Sequence, residues 1–323
     1  MLDEEPARRG GDLRAERRTL ALPCGHFRHG PDRTRDVFLA LGARLAYGVD
    51  MVIAYTAQTV LITGASSGIG RSFAIALAAR GADLVLVARR ADRLESLATE
   101  LRDRHGVTVH TFPFDLSAPS AAADLRDAAA QRGIHVTSLV NNAGFGSFGP
   151  FIEADPEHLA REIAVDVSAP VQLTAAFLPQ ILTAGGGFVI NVASMAAYVP
   201  SPRMAVYGAA KAFVLSFTEA LWAELRGTGV TVFALSPGAT STEFNQVVGT
   251  DDATAGARMR TPEAVVATAL DHLDRRDPAP SVIDGRGNRL SANAVRVLTR
   301  RATVSLMRRI TDPSRRDRAR AAR

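Results

Sequence analysis

Three residues have the types and spacing for proton transfer: Ser194, Tyr207 and Lys211. Tyr207 and Lys211 stand four apart in a stretch patterned as a helix, so their side chains share one face. A free tyrosine titrates near ~10, too high for a base at neutral pH, and a neighbouring ammonium favours the phenolate and lowers that value. Such a pair can give a proton to a nascent alkoxide or take one from an alcohol. A serine hydroxyl beside it can hold a carbonyl oxygen by a second hydrogen bond. Of the 38 Lys and Arg residues in the chain, only residue 211 is lysine. A compact, tunable ammonium suits the tyrosine, and guanidinium is a poor substitute.

A glycine-rich run, Thr63-Gly64-Ala65-Ser66-Ser67-Gly68-Ile69-Gly70, lies between an apolar β-branched stretch and a helical one. Glycines let the backbone turn sharply and approach a pyrophosphate, and the following helix aims its free N–H groups and positive dipole end at that phosphate. A glycine-rich turn used only for packing has the same composition. The next β stretch ends at Ala88, where a site for a 2′-hydroxyl would carry an acid. Arg89 and Arg90 stand there instead, and Arg89 is expected to hold a 2′-phosphate, with Ser66 adding a hydroxyl. The cofactor this implies is NADP. An exposed Arg pair leading a helix is the plainer alternative. Asp115 and Leu116 follow the third β stretch, placed for an adenine edge, and Asn141-Asn142-Ala143-Gly144 follow the fourth. No metal site is expected.

These residues need a scaffold that brings strand ends together. Strands are expected over Thr59–Thr63, Leu84–Ala88, Val107–Phe114, Ser138–Asn141, Phe188–Val192, Val230–Leu235 and Ser281–Ile283. Helices are expected over Arg71–Arg80, Asp92–Arg104, 119–132, Pro156–Thr183, Met204–Arg226 and Pro262–Arg275, with Pro170 bending or breaking the fourth. Alternating strands and helical crossovers predict an α/β fold, a single Rossmann-type, doubly wound domain over residues 51–290.

The ordered set Thr63-Gly64-x-x-x-Gly68-x-Gly70, Asn141-Asn142-Ala143-Gly144, Ser194, Tyr207-x-x-x-Lys211 and Pro237-Gly238 resembles the short-chain dehydrogenase/reductase family over roughly residues 57–290. The resemblance implies a seven-stranded parallel sheet and a Ser-Tyr-Lys mechanism. Gly64, Ser66, Ser67, Gly68, Ile69, Gly70, Arg89, Asp115, Leu116, Asn142, Ala143 and Gly144 would then bind the cofactor. Lys211 would hydrogen-bond the nicotinamide ribose and lower the Tyr207 pKa. Pro237, Gly238 and Thr242 would line the carboxamide, and residues 240–258 would form a mobile substrate lid. The chain departs from the pattern once: where the family carries an Asn that supports a water relaying protons to the Lys, Val165-Asp166-Val167-Ser168-Ala169-Pro170 places Asp166. An aspartate can hold the same water, but its charge also binds Lys211 and offsets the ammonium at Tyr207.

Phe145, Phe148, Phe151, Met195, Tyr198, Val199, Pro200 and Phe244 are candidate substrate-lining residues, and they favour an apolar ketone or alcohol over a sugar or polyanion. Two other readings stay open: a non-catalytic NADP-binding regulator, and a membrane-peripheral reductase of lipids, steroids or 3-oxoacyl groups.

Charge separates the C-terminal end of the chain from the rest. The formal net charge is +5, yet residues 286–323 hold twelve Arg and two acids, leaving the remainder acidic. A nucleic-acid partner is therefore not expected. Ala294, Leu298, Ala302, Leu306 and Ile310 recur every four residues, so 291–323 reads as a basic amphipathic helix with a disordered end. It either packs on its own domain or touches a membrane surface. Residues 1–50 read as an irregular leader with a short helical stretch near Val37–Tyr47. The single cysteine, Cys24, fits a reducing compartment, and no apolar run suggests a bilayer span. A cytoplasmic homodimer or homotetramer is expected.

Overall fold

The computed structural model describes residues 53–244, 248 and 259–312. All lie in the compact unit Tyr47–Arg323. The leader over 1–50, most of the loop over 240–258 and the end of the tail beyond 312 lie outside the described residues.

The chain alternates β1 (Thr59–Thr63), α1 (Gly68–Ala78), β2 (Asp83–Ala88), α2 (Ala91–His105), β3 (Val109–Pro113), α3 (Ala121–Gln131) and β4 (Ser138–Asn141). It continues through α4 (Pro156–Ile163), a π-helical turn (Ala164–Ser168), α5 (Ala169–Ala184), β5 (Phe188–Val192), α6 (Ala205–Glu224), β6 (Thr231–Ser236), α7 (Pro262–Leu273) and β7 (Ser281–Ile283). The seven strands form one parallel sheet in the order β3-β2-β1-β4-β5-β6-β7. Side-chain alternation sorts the core into two layers. Val60 and Ile62 face one layer with Phe73, Leu77, Leu94, Leu101 and Leu270, while Leu61 faces the other with Leu125, Leu173, Phe177 and Leu221. The strand order reverses between β1 and β4, and such a switch point opens a crevice beyond the strand ends where ligands sit.

Pro170 stands in the first turn of α5 and does not break the long fourth helix, which runs on from Pro156 to Ala184; ahead of it the ladder widens into the π-turn Ala164–Ser168. Single π-turns of this kind commonly mark functional positions, and Asp166 lies on this one. The run Pro156–Ala184 is long and apolar enough to cross a bilayer by length and composition, contrary to the sequence expectation. Here its Leu173, Phe177 and Ile181 are buried against the sheet.

The C-terminal extension is not one continuous helix. It forms α8 (Arg286–Val295) and α9 (Arg300–Ile310), and Thr299 caps the second by accepting from Ala302 N at 3.3 Å. The break resets the helical phase. Ala294, Leu298, Ala302, Leu306 and Ile310 are all exposed, and Ala292 and Thr303 are the buried contacts.

Candidate active site

Ser194 follows β5, and its Oγ accepts from Ala196 N at 3.1 Å, starting a short 3-10 turn. This fixes the hydroxyl at the C-terminal edge of the sheet. Tyr207 lies in the first turn of α6 and Lys211 one turn on, and Ser194 stands close enough to Tyr207 to stabilise its phenolate. Lys211 Nζ sits 5.6 Å from the centre of the Tyr207 ring and donates to Val192 O at 3.3 Å. The structure thus brings all three residues together.

Asp166 joins them. Its Oδ2 lies 2.9 Å from Lys211 Nζ, and the two side chains are 0% and 6% exposed. Its Oδ1 accepts from Phe145 N at 2.9 Å. A Cβ on Gly144 would fall 3.0 Å from both Asp166 Oδ2 and Lys211 Nζ, so a larger residue there would push on the ion pair. Burial tends to lower the Lys211 pKa, but Asp166 and then Tyr207 outweigh it and hold the ammonium above its ordinary range. Burial holds the Tyr207 phenol above its ordinary value; Lys211 pulls it down, while Asp166 opposes Lys211. This corrects the expectation that the ammonium sets the tyrosine below ~10: desolvation of the phenolate is the larger effect.

A second buried acid escaped the sequence reading. Glu162 is fully buried on α4, with Ser147 Oγ donating to its Oε2 at 2.6 Å. Its Oε1 has no hydrogen-bond partner among the described residues. Burial raises its pKa; Asp166 adds to that rise and Lys211 opposes it. It lies four residues before Asp166, and the adjacent Ile163, 46% exposed, faces the other way.

The glycine loop is built for close approach. A Cβ on Gly70 would come within 2.4 Å of Gly64 O and 2.5 Å of Asn142 Nδ2. Ser67 is the N-cap of α1 but makes no side-chain cap, so the loop opens onto main-chain donors of the first turn. Ile69 packs partly on the core. Asn142 braces the loop: its N–H donates to Thr63 Oγ1 and its Nδ2 to Thr63 O, each at 2.9 Å, and Ala143 N donates to the same hydroxyl. Asp115 Oδ1 accepts from Ser117 N at 3.0 Å, and this bond keeps its carboxyl below the usual range. Leu116 is buried in the core. Pro237 and Gly238 follow β6, where Met195 N donates to Pro237 O at 2.9 Å.

The arginine pair divides differently from the expectation. Arg89 is exposed, and it is Arg90, at the N-cap of α2, that turns back to the loop. Its Nη2 donates to Ser66 Oγ and Ser67 Oγ, each at 3.0 Å. A cavity of about 730 Å³ beside the loop is lined by Ser66, Ser67, Gly68, Arg93, Thr242 and Glu243, among others.

Among the apolar candidates, Phe244 packs on Tyr207 with ring centres 5.3 Å apart, Phe145 packs edge-on against His158, and Arg203 lies over Phe148. Tyr198 OH and Ser236 Oγ are 3.2 Å apart, and Phe151 is 68% exposed.

The family model described as short chain dehydrogenase matches residues 58–253. A short chain dehydrogenase of Pseudocercospora fijiensis is 38% identical over 190 residues, 58% of this chain and only 61% of that protein's length. Sulfoacetaldehyde reductase 2 of Chromohalobacter salexigens is 40% identical over 204 residues, covering 62% of this chain and 80% of that protein. In three dimensions, a short-chain dehydrogenase from Sphingobium yanoikuyae in complex with NADPH superposes with a TM-score of 0.67 at 37% identity, covering 74% of this chain and 93% of the other. The family model covers more than half of the chain, and these relatives agree with it: the chain belongs to the short-chain dehydrogenase family.

Proposed function

We propose that the protein is an NADP(H)-dependent oxidoreductase that moves a hydride between nicotinamide and an apolar ketone or secondary alcohol. The observation that carries this reading is Tyr207 with Lys211 Nζ 5.6 Å from its ring centre, one helical turn on, and Ser194 beside it at the end of β5. Bound NADPH supplies the hydride. The loop Gly64–Gly70 and the open first turn of α1 suit its pyrophosphate, and Arg90 with Ser66 suits its 2′-phosphate. The NADPH complex of the Sphingobium yanoikuyae relative supports that choice.

The protein's own residues do the rest. Ser194 and Tyr207 hold the substrate oxygen, and Tyr207 gives it a proton as negative charge develops there. Lys211 keeps a positive charge beside the phenolate so formed. Burial favours the protonated phenol, the form ketone reduction uses, while alcohol oxidation uses the phenolate and should rise with pH.

The test is a panel of ketones and alcohols read by nicotinamide absorbance with both cofactors. NADPH should be preferred by about tenfold or more, the scale of one charge-assisted contact. Tyr207→Phe should lower ketone reduction by about 10²–10⁴-fold while NADPH binding stays. Undiminished turnover by this variant would rule out Tyr207 as the acid.

A further inference from the structure

We propose that Glu243 occupies the arginines meant for the cofactor's 2′-phosphate, and that its displacement by this phosphate releases the adjoining Phe244 from Tyr207. The proposal rests on the NADP reading above and adds a residue that sets cofactor discrimination.

Glu243 bridges two guanidinium groups. Its Oε2 lies 2.8 Å from Arg90 Nη1, and its Oε1 lies 2.5 Å from Arg93 Nη1. Two arginines thus converge on one carboxylate, and one of them, Arg90, is held in place on its other side by the Ser66 and Ser67 hydroxyls. This donor set matches a phosphate better than a carboxylate. A phosphate monoester carries up to two charges and three acceptor oxygens, against one charge and two oxygens. A 2′-phosphate arriving here must share the arginines with Glu243, and like charge pushes the carboxylate out.

The consequence lies one residue further on. The segment 242–244 is a compact turn in which Phe244 N donates to Thr242 Oγ1 at 3.2 Å. The Thr242 side chain packs on Gly68, where a Cβ would sit only 3.0 Å from its methyl carbon. From this turn Glu243 reaches toward β2, and the Phe244 ring lies on Tyr207, tilted by 50°. Moving Glu243 off its arginines shifts the residue bonded to it, and with it the ring over the catalytic phenol. NADH has no group to take the arginines from Glu243, so it meets a site whose tyrosine stays covered. Discrimination then acts on access to Tyr207 as well as on cofactor affinity.

The experiment uses the full chain labelled with 3-fluorotyrosine and fluorine NMR. The chain has four tyrosines, and Tyr207→Phe identifies the resonance that matters. The probes are adenosine 2′,5′-bisphosphate and 5′-AMP, neither of which has a nicotinamide to reach Tyr207. The bisphosphate should move the Tyr207 resonance, and 5′-AMP at saturation should not. Glu243→Gln should show the moved resonance without any nucleotide. It should also bind the bisphosphate about fivefold more tightly, the scale of an exposed ion pair, with 5′-AMP affinity unchanged. If the bisphosphate binds more tightly than 5′-AMP but the Tyr207 resonance stays put in both proteins, the latch is wrong and the NADP reading stands. If the two nucleotides bind wild-type protein equally, both fall together.

Discussion

Two clusters of charge flank the ends of the strands, and they differ in how much water reaches them. Around Lys211, one ammonium faces two carboxyl groups, Asp166 and Glu162, all three buried. Around Glu243, one carboxylate faces two guanidinium groups, and these side chains are between 35% and 45% exposed. The inner cluster has lost its hydration, so each charge depends on its partner, and removing one strands the other. The outer cluster keeps water as an alternative partner and is screened by salt, so its contacts exchange at little cost. The difference suits the roles proposed for them: the inner pair beside the Tyr207 phenol, and the outer one where the 2′-phosphate would bind.

The largest effect that could break this contrast comes from Lys211→Met. The substitution keeps much of the stem and leaves Asp166 without its cation. Stability at neutral pH should fall by about 3–5 kcal/mol, and turnover should be lost with it. Asp166 in the variant would have a folded pKa far above its unfolded one. Such a group adds stability below the unfolded pKa and loses it as pH rises, so the deficit should shrink in acid and grow toward neutrality. Urea unfolding at two pH values checks this. A deficit below about 1 kcal/mol at neutral pH would show that the inner cluster behaves like the outer one.

A smaller effect separates the two inner acids. Asp166→Asn removes an anion that opposes Lys211 at Tyr207, so the phenolate forms more readily and the pH profile of alcohol oxidation moves to lower pH. Ketone reduction needs the phenol and should change less. Burial keeps the Glu162 carboxyl up, so Glu162→Gln alone should barely move the profile. Once Asp166 is neutral, however, Glu162 can ionise in its place against Lys211. The double variant should therefore move the profile by about one pH unit, more than the sum of the singles. Strict additivity would show that the two carboxyls do not share the ammonium, and the profile belongs to the coupled group rather than to one residue.

What the sequence revealed and what it hid follow from the same physics. Ser194, Tyr207 and Lys211 were legible because helical spacing and a strand end fix their places locally. The strands Thr59–Thr63 and Ser281–Ile283 were legible to the residue, since short apolar runs between turn residues leave little choice. Glu162 was hidden because an isolated glutamate on a helix ordinarily faces water; only the packing of α4 shows that Ile163 faces out and Glu162 in. The choice between Arg89 and Arg90 depends on the direction in which the chain leaves β2, which residue types do not encode. In the extension, the four-residue recurrence from Ala294 to Ile310 presumed one unbroken helix. The cap at Thr299 ended that phase and moved the contact face to Ala292 and Thr303.

The smallest effect belongs to the outer cluster. Arg93 and Arg90 hold the Glu243 carboxyl at about 2, against an ordinary 4.5. A carboxyl depressed on folding adds stability above its unfolded pKa and loses it as pH falls through the folded one. The contribution should thus be complete at neutral pH and disappear between about 4.5 and 2. Its size does not follow from the shift alone, because the side chain is 35% exposed and both ion pairs compete with water. Discounted in that way, Glu243→Gln should cost at most about 1 kcal/mol at neutral pH in dilute buffer. Raising the salt to about 1 M, where the screening length is near 3 Å, should remove most of that difference. Melting curves of the two proteins at pH 7, in dilute buffer and in concentrated salt, measure it directly. A larger loss that survives salt would mean that Glu243 is as much a part of the folded core as Asp166, and that no incoming phosphate could readily displace it.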